Sequence, residues 1–475
     1  MSSSGAFLRC LLIGCLGVGC SLQARKPPAP TVPAAFDGAL PGGPANWPSE
    51  DWYHGFASAE LDALITQAAH ENFDVATARA RVAQADARAR QAHAAILPSV
   101  EAGGNANYLA GHSVNGDAHE TDWAALLSAS YEIDFWGKNR AASNAARLLA
   151  IASRADRDTV ALTTLAGVAD GYFQVLSLRE RLTVARANAD GARALMDIVD
   201  SRFRAGLSNP VEVAAQRAAL AAAELTIPEL EQSQEEALGS LAALLGRSPE
   251  GFTIEGAPLD SLKEPAVAAG LPSELLRRRP DIFTAEANLE SASASLAAAR
   301  AALYPSLTLT ASGGVQNPAL NAAILSLSGA GPTLNLGASL AQPIFDGGRL
   351  RAARAEAEAR EQELTASYRA AIVSALVDVE KSLSAIRHID AAREFQNDNV
   401  TQSERAFQGA RLRYKAGYGD FLAVLDAQKT LYSVRDLYIQ YKLARLQALV
   451  SLCKALGGGW QGPDANRQPQ TAGIR

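Results

Sequence analysis

The chain has 475 residues, with 44 lysines and arginines against 50 acids and a net charge of -6, so it offers no basic footprint for nucleic acid. Hydrophobic residues make up 48% but aromatic ones only 6%, and alanine dominates wide stretches. Small side chains let long helices pack closely, so this composition favours long helical pairs over an aromatic-rich enzyme core.

The N-terminus opens with Arg9 and a short apolar run from Cys10 to Val18. Such a run reads as a secretory h-region, too short to span a bilayer as a mature helix. Gly19-Cys20 places a small residue before a cysteine, as in a bacterial lipobox. Leu12-Ile13-Gly14-Cys15 matches that pattern better as text, but cleavage there leaves only about five apolar residues after Arg9, below the ~7 an h-region uses. Cys20 is therefore the favoured lipidation site. Cys15 is the alternative, and an ordinary signal peptide with incidental cysteines is the third reading. Residues 1–19 then form the signal peptide and 20–57 a lipidated linker. Cleavage at Cys20 leaves Cys453 as the only other cysteine, so no intrachain disulfide is expected. Cys453 sits on an apolar helical stretch and should be a buried, inert thiol.

From residue 58 the chain is written twice. Asp74-Val75 and Ala78 recur as Asp281-Ile282 and Ala285, and Pro98-Ser99 as Pro305-Ser306, each 207 positions on. Phe135 and Gly137 recur 210 positions on as Phe345 and Gly347. Arg202-Phe203, Ala205-Gly206 and Asn209 recur 211 positions on as Arg413-Tyr414, Ala416-Gly417 and Asp420, and Leu245-Gly246 as Leu456-Gly457. Order is kept throughout while the spacing drifts by only four residues. Repeat 1 covers 58–250, a linker 251–271, repeat 2 272–460, and 461–475 reads as a disordered tail.

Within repeat 1 the pattern predicts a helix over 58–97, strands over 99–108 and 124–135, and helices over 138–204 and 210–245. Repeat 2 predicts a helix over 281–303, strands over 306–315 and 333–345, and helices over 348–415 and 421–456. Pro98 and Pro305 end the first helices. The strands alternate: Val100, Ala102 and Gly104 oppose Glu101, Gly103 and Asn105, and Leu334, Leu336 and Ala338 oppose Thr333, Asn335 and Ser339. One apolar and one polar face suit a β-barrel in lipid, although a half-buried strand in a soluble sheet alternates in the same way. The export signal, the lipid anchor and linkers of some 14 to 16 residues between paired strands (109–122 and 316–331) favour the barrel. No proline interrupts 137–204 or 347–415, so each helix would run ~100 Å at 1.5 Å per residue. Gly206 and Gly417 end these helices, and Asn209 and Asp420 cap the returning ones, Pro210 following in the first turn. The fold class is mainly α with a membrane β-barrel. Four strands are too few to close one, since the smallest bacterial barrels use eight; three copies would give twelve.

Tyr131-Glu132-Ile133-Asp134-Phe135-Trp136-Gly137, Leu275-Leu276-Arg277-Arg278-Arg279-Pro280-Asp281-Ile282, Gln342-Pro343-Ile344-Phe345-Asp346-Gly347-Gly348 and Ala455-Leu456-Gly457-Gly458-Gly459-Trp460 follow in order. Together they resemble the outer-membrane factors, the TolC-like channels of tripartite efflux and secretion systems, over about 52–460. The lipobox places the chain nearest their lipoprotein branch. The resemblance implies a homotrimer with a twelve-stranded barrel and a periplasmic α-helical tunnel. It implies as partners an inner-membrane pump and a periplasmic adaptor, in a protein anchored to the outer membrane and extending into the periplasm. No cofactor is implied beyond the diacylglycerol and N-acyl chain on Cys20.

The family closes its tunnel at the hairpin tips. Carried over, Tyr414, Leu422, Asp426 and Lys429 fall at gate positions of repeat 2 and Glu212 at an acidic latch position of repeat 1. Tyr418-Gly419 stands where the best-known secretion channel carries a basic latch residue. The spacing independently puts Leu422, Asp426 and Lys429 on one helix face. Without a converging catalytic constellation, no enzyme is expected. His112 and His119-Glu120 are too sparse for a metal site, and Gly457-Gly458-Gly459-Trp460 lacks the Lys-Ser/Thr of a phosphate loop. The competing reading is a non-conducting periplasmic coiled-coil adaptor or scaffold lipoprotein, which accounts for the helices but not the strands.

Overall fold

The computed structural model of the chain describes residues 32–36, 47–113, 116–267, 269–316 and 333–462. The signal peptide, Cys15, Cys20, most of the 20–57 linker, the 317–331 connection and the tail from 463 lie outside them. The described helices are α1 (Ala59–Glu71), α2 (Phe73–Ala94), α3 (Lys138–Arg204), α4 (Pro210–Leu244), α5 (Pro272–Arg278), α6 (Pro280–Ala301), α7 (Arg349–Lys415) and α8 (Phe421–Ala455). The strands are β1 (Ser99–Ser113), β2 (Gly116–Ile133), β3 (Ser306–Gln316) and β4 (Thr333–Ala341). The duplication holds to the residue: α2 and α6 have 22 residues each, α3 and α7 have 67, and α4 and α8 have 35. The chain divides into two compact units, one of residues 84–151 and 286–367 with the sheet, the other of 30–83, 152–285 and 368 onward.

In the first unit the strands form one antiparallel sheet in the order β1-β2-β3-β4. The register aligns the two faces across all four. Val100 pairs with Ala129, Ala129 with Ala311 and Ala311 with Leu336; one step along, Glu101 pairs with Ser128, Ser128 with Ser312 and Ser312 with Asn335. The apolar face is bare: Val100, Leu127, Leu309, Leu334, Leu336 and Leu340 are all exposed. A one-residue slip would turn every one of them over, so pairing and hydrophobic pattern enforce the same register. Small residues pack the helices of this unit, with Ala145, Leu148 and Ala294 in one cluster and Ser291 donating to the Ala145 carbonyl at 2.9 Å.

The second unit holds the main core. Phe56, Leu61, Ile65, Tyr172, Phe173, Leu241, Leu275, Ile282 and Cys453 are buried together. Burial pushes the Cys453 thiol up to about 12, which makes it unreactive at neutral pH. The 251–271 linker is strapped down: the Glu60 carboxylate accepts from the backbone of Glu255 at 2.6 Å and Gly256 at 2.8 Å, and Arg179 donates to the carbonyls of Ile254 and Glu255. Buried Lys442 adds bonds to Asp260 at 2.8 Å and Glu180 at 3.0 Å. No described helix is long and apolar enough to cross a membrane.

Several expected bounds are corrected. The single helix over 58–97 is two, broken at Asn72, whose extended backbone lets its side-chain oxygen cap α2 through the backbone N–H groups of Asp74 and Val75. A further short helix, α5, precedes α6, and α6 itself ends at Ala301 rather than 303. Strands 99–108 and 124–135 are longer toward their connection, reaching Ser113 and restarting at Gly116, so the long 109–122 linker is mostly paired strand. The second strand stops at Ile133 because Asp134 turns to accept the backbone N–H groups of Asn139 and Arg140, starting α3. Strand 333–345 ends at Ala341, ahead of Pro343, which has no N–H for a ladder. The first helical segment also ends early, at Ala94 rather than 97, and the remaining helix and strand ends agree to one residue.

Candidate functional site

Both hairpin tips of the second unit are built alike. Arg204 and Lys415 end the long helices; Gly206 and Gly417 follow with φ of +74° and +85°. The chain then closes back, Leu207 N–H to the Arg202 carbonyl and Tyr418 N–H to the Arg413 carbonyl, both at 2.9 Å. Asn209 caps α4 through the N–H groups of Val211 and Glu212, and Asp420 caps α8 through that of Leu422. Turn and cap therefore fix where each tip begins and ends.

Between the tips lies a hydrogen-bonded cluster. The Tyr414 hydroxyl donates to Glu212 Oε2 at 2.8 Å. Ser208 donates to the same oxygen at 2.6 Å, and Asn209 Nδ2 to Oε1 at 3.2 Å. Arg202 donates to the Tyr414 carbonyl at 3.1 Å and the Leu207 carbonyl at 3.3 Å, with its guanidinium 4.7 Å from the Tyr414 ring centre. Tyr414 is only 2% exposed, packed with Phe407, Phe421, Val424, Leu195 and Val199. Burial, reinforced by the bond to Glu212, raises its phenol above the usual range, so it stays a donor at physiological pH. The arrangement is a charge-assisted tie between two hairpins, and it holds no nucleophile–base pair for catalysis.

Of the sequence-derived residues, the structure thus joins Tyr414 to Glu212. Leu422, Asp426 and Lys429 do not join that tie; they are exposed on one stripe of α8. Cys20 lies outside the described residues. Sequence reasoning missed Arg202, Ser208 and Asn209 as partners in the cluster. The recurrence of Arg202-Phe203 as Arg413-Tyr414 was the available signal for Arg202, but a recurring arginine does not say which of the two copies reaches across.

The second feature is the joint between α8 and the Leu275–Ile282 motif. Arg279 is buried and donates to Asp281 at 2.9 and 2.6 Å, to Asp378 at 3.1 Å and to the Ala455 carbonyl at 3.1 Å. Burial alone would lower its pKa, but the two carboxylates outweigh it and hold the guanidinium charged. No group of histidines, cysteines and acids able to hold a metal occurs among the described residues.

Residues 64–247 and 271–458 match the outer membrane efflux protein family. The chain is 42% identical to the pyoverdine export outer membrane protein OpmQ of Pseudomonas aeruginosa, over 95% of this chain and 96% of that one. It is also 42% identical to OpmQ of Pseudomonas putida, over 94% and 97%. Its fold superposes on the open-state MtrE outer membrane channel of Neisseria gonorrhoeae with a TM-score of 0.81 at 30% identity, covering 92% of this chain and 98% of that one. A non-conducting scaffold is thereby set aside: the chain belongs to the outer membrane efflux protein family and is the outer-membrane channel subunit of a tripartite efflux system, a passive duct and not an enzyme.

Proposed function

We propose that three copies of this chain close a twelve-stranded barrel, and that the resulting duct exports a siderophore of the pyoverdine type. The observation that carries the assembly is the sheet: four strands with one apolar face, and β1 and β4 left as edges among the described residues. Edge groups cannot stay unpaired in hydrocarbon, so the edges pair between copies. Overall identity of 42% to two pyoverdine export proteins supports the substrate class. A periplasmic adaptor and an inner-membrane pump complete the path, and acyl chains on Cys20 hold the N-terminus at the outer membrane, with ~0.8 kcal/mol per buried methylene.

The closed end of the duct is at the hairpin tips. Glu212 and Tyr414 tie repeat 1 to repeat 2, while Leu422, Asp426 and Lys429 face the axis, where three copies of Asp426 attract cations and repel anions. An adaptor that binds the splayed tips better opens the tie. In planar bilayers wild-type protein should conduct weakly and select cations, and Asp426→Ala should lose that selectivity. A deletion strain should hold its siderophore in the periplasm and leave the medium depleted. Normal secretion in that strain would sink the substrate, and a single chain that conducts on its own would sink the trimer.

A further inference from the structure

Both repeats lay down the same helix pair, but they close it differently at one level. In repeat 1, Leu241 and Leu244 of α4 rest on Gly171 and Gly167 of α3. Their methyl carbons lie 3.5 and 3.6 Å from the point that a Cβ on each glycine would occupy. The helices meet there through apolar side chains at van der Waals distance.

Shifted by 211 positions, those four residues become Leu452 and Ala455 of α8 and Ser382 and Asp378 of α7. Ala455 lacks the bulk that Leu244 supplies, and a cavity of about 350 Å³ stands beside it. Three cations, Arg279, Lys381 and Lys454, line this cavity against one acid, Asp378, with the hydroxyls of Ser382 and Ser451. At the positions of the two lysines repeat 1 has Asp170 and Ala243. Arg279 spends four of its five N–H groups on Asp281, Asp378 and the Ala455 carbonyl. Ser382 donates to the Asp378 carbonyl at 2.8 Å. Lys381, Lys454 and Ser451 are exposed and have no ion-pair or hydrogen-bond partner among the described residues. Asp170 is within electrostatic reach of Lys454 but makes no ion pair with it.

We propose that this cavity is a binding site for a phosphate group, free or as a small monoester, with Lys381 and Lys454 supplying the charge and Ser451 a hydroxyl donor. Two lysines without counter-charges call for a ligand with two negative charges, and phosphate brings both together with several acceptor oxygens. Arg279 is committed to its two carboxylates, so recognition falls to the lysines. The bound anion would join α7 and α8 next to the Arg279 joint, and would stabilise the folded chain by mass action. The site lies within one chain, so the inference stands apart from the assembly and the substrate proposed above. Repeat 1 carries no such site, because leucine fills the space and neither lysine is present.

The test uses the full-length chain in detergent at fixed ionic strength. Equilibrium dialysis with radiolabelled inorganic phosphate should show one site per chain. Lys381→Met with Lys454→Met should weaken binding about a hundred-fold, since each charge-assisted contact is worth roughly ten-fold or more. Phosphate should also raise the melting temperature of wild type more than that of this variant, a comparison that removes its general salting effect. Ala455→Leu keeps every charge but restores the side chain of repeat 1, and it should lose binding as well. Lys263→Met removes a lysine that does not line the cavity and should bind as wild type does. Glycerol phosphate binding more tightly than phosphate would assign the site to a monoester, and the reverse order to the free ion. Both lysines are exposed, so their variant decides the matter even where Ala455→Leu does not fold. No binding by wild type, or equal binding by the double lysine variant, overturns the site. Binding that survives in a folded Ala455→Leu chain shows that the cavity is not where the anion sits, and overturns it too.

Discussion

At the end of α4 the Leu244 carbonyl is met by the Asn72 side-chain amide at 2.8 Å; 211 positions later the Ala455 carbonyl is met by the Arg279 guanidinium at 3.1 Å. The same backbone group needs a donor in both repeats, and two unrelated side chains supply it. Halfway along the hairpins Arg193 of α3 pairs with Glu224 of α4 at 2.7 Å, whereas in repeat 2 Glu404 of α7 pairs with Arg435 of α8, the signs exchanged. At the tips the likeness fails. Tyr414 and Glu212 correspond to Phe203 and Ala423, a pair that can form no hydrogen bond. Helix length and turn geometry are held in both repeats because packing fixes them. Polar partners are free to differ wherever another pair fills the same need, and at the tips only one of the two equivalent pairs of positions carries a tie.

The largest effect should come from the glycines beside the two carbonyl caps. Gly457 has φ of +90°, and a Cβ built there would lie 1.8 Å from the Arg278 carbonyl oxygen; at Gly246 the corresponding distance to Glu71 is 2.5 Å. Gly457→Ala should leave almost no folded protein, and Gly246→Ala should cost well over ~2 kcal/mol, since strain and a backbone clash add. Wild-type melting of both in detergent would show that the backbone here is not constrained as described.

Next comes the cap itself. Arg279→Ala should cost about 3 kcal/mol, because Asp281, Asp378 and the Ala455 carbonyl all lose their donor, against about 1 kcal/mol for Asn72→Ala. Arg279→Asn sharpens the comparison. It supplies repeat 1's kind of donor and should recover part of the loss, but not the part owed to the two carboxylates. Equal melting points for Arg279→Ala and Asn72→Ala would mean those carboxylates contribute nothing.

Tyr414→Phe with Glu212→Gln should remove a charge-assisted bond worth ~1.5–3 kcal/mol and raise single-channel conductance. The converse pair, Phe203→Tyr with Ala423→Glu, puts the residues of the tie at the two duplicated positions and should lower conductance. Unchanged conductance in both would show that the cluster is structural and not a latch.

The smallest effect concerns Asp170 in α3, whose counterpart in α7 is the exposed Lys381. Burial, only partly offset by Lys454, raises the Asp170 carboxyl to about 7, and its Oδ1 is buried without a partner. A carboxyl whose folded pKa lies above its unfolded value favours folding fully when protonated, and that contribution is lost as pH rises from about 4 to about 7. Asp170→Asn should therefore match wild type near pH 4 and be the more stable by on the order of 1–2 kcal/mol at pH 8, allowing for partial screening. A constant difference across that range would refute the assignment.

Much of this was legible in the sequence. The repeat could be aligned because its landmarks, Pro98-Ser99 or Ala205-Gly206, are turn residues whose geometry tolerates few substitutes. The alternation of β3 and β4 gave their faces, and Tyr414 and Glu212 were identified through the family resemblance. The break at Asn72 was invisible because an asparagine inside an alanine-rich helix pattern does not announce that its side chain caps the next helix. β1 and β2 were read too short because the composition of 109–122, rich in polar residues and glycine, resembles a loop until it is paired. Arg202 escaped because its partners are backbone carbonyls, one across its own turn and one on the other hairpin, and no residue pattern encodes such partners.

The two edges, β1 and β4, that the four-stranded sheet leaves among the described residues carry a consequence for gene dosage. If three copies close the barrel as proposed, a chain with a sound β1 edge and a spoiled β4 edge still enters the ring but cannot complete it, so one bad copy disables its two good neighbours. With equal amounts of sound and spoiled chain mixing at random, about one trimer in eight would be wholly sound. A heterozygous-style co-expression of such a variant should therefore be dominant, and far more damaging than halving the supply of the normal protein.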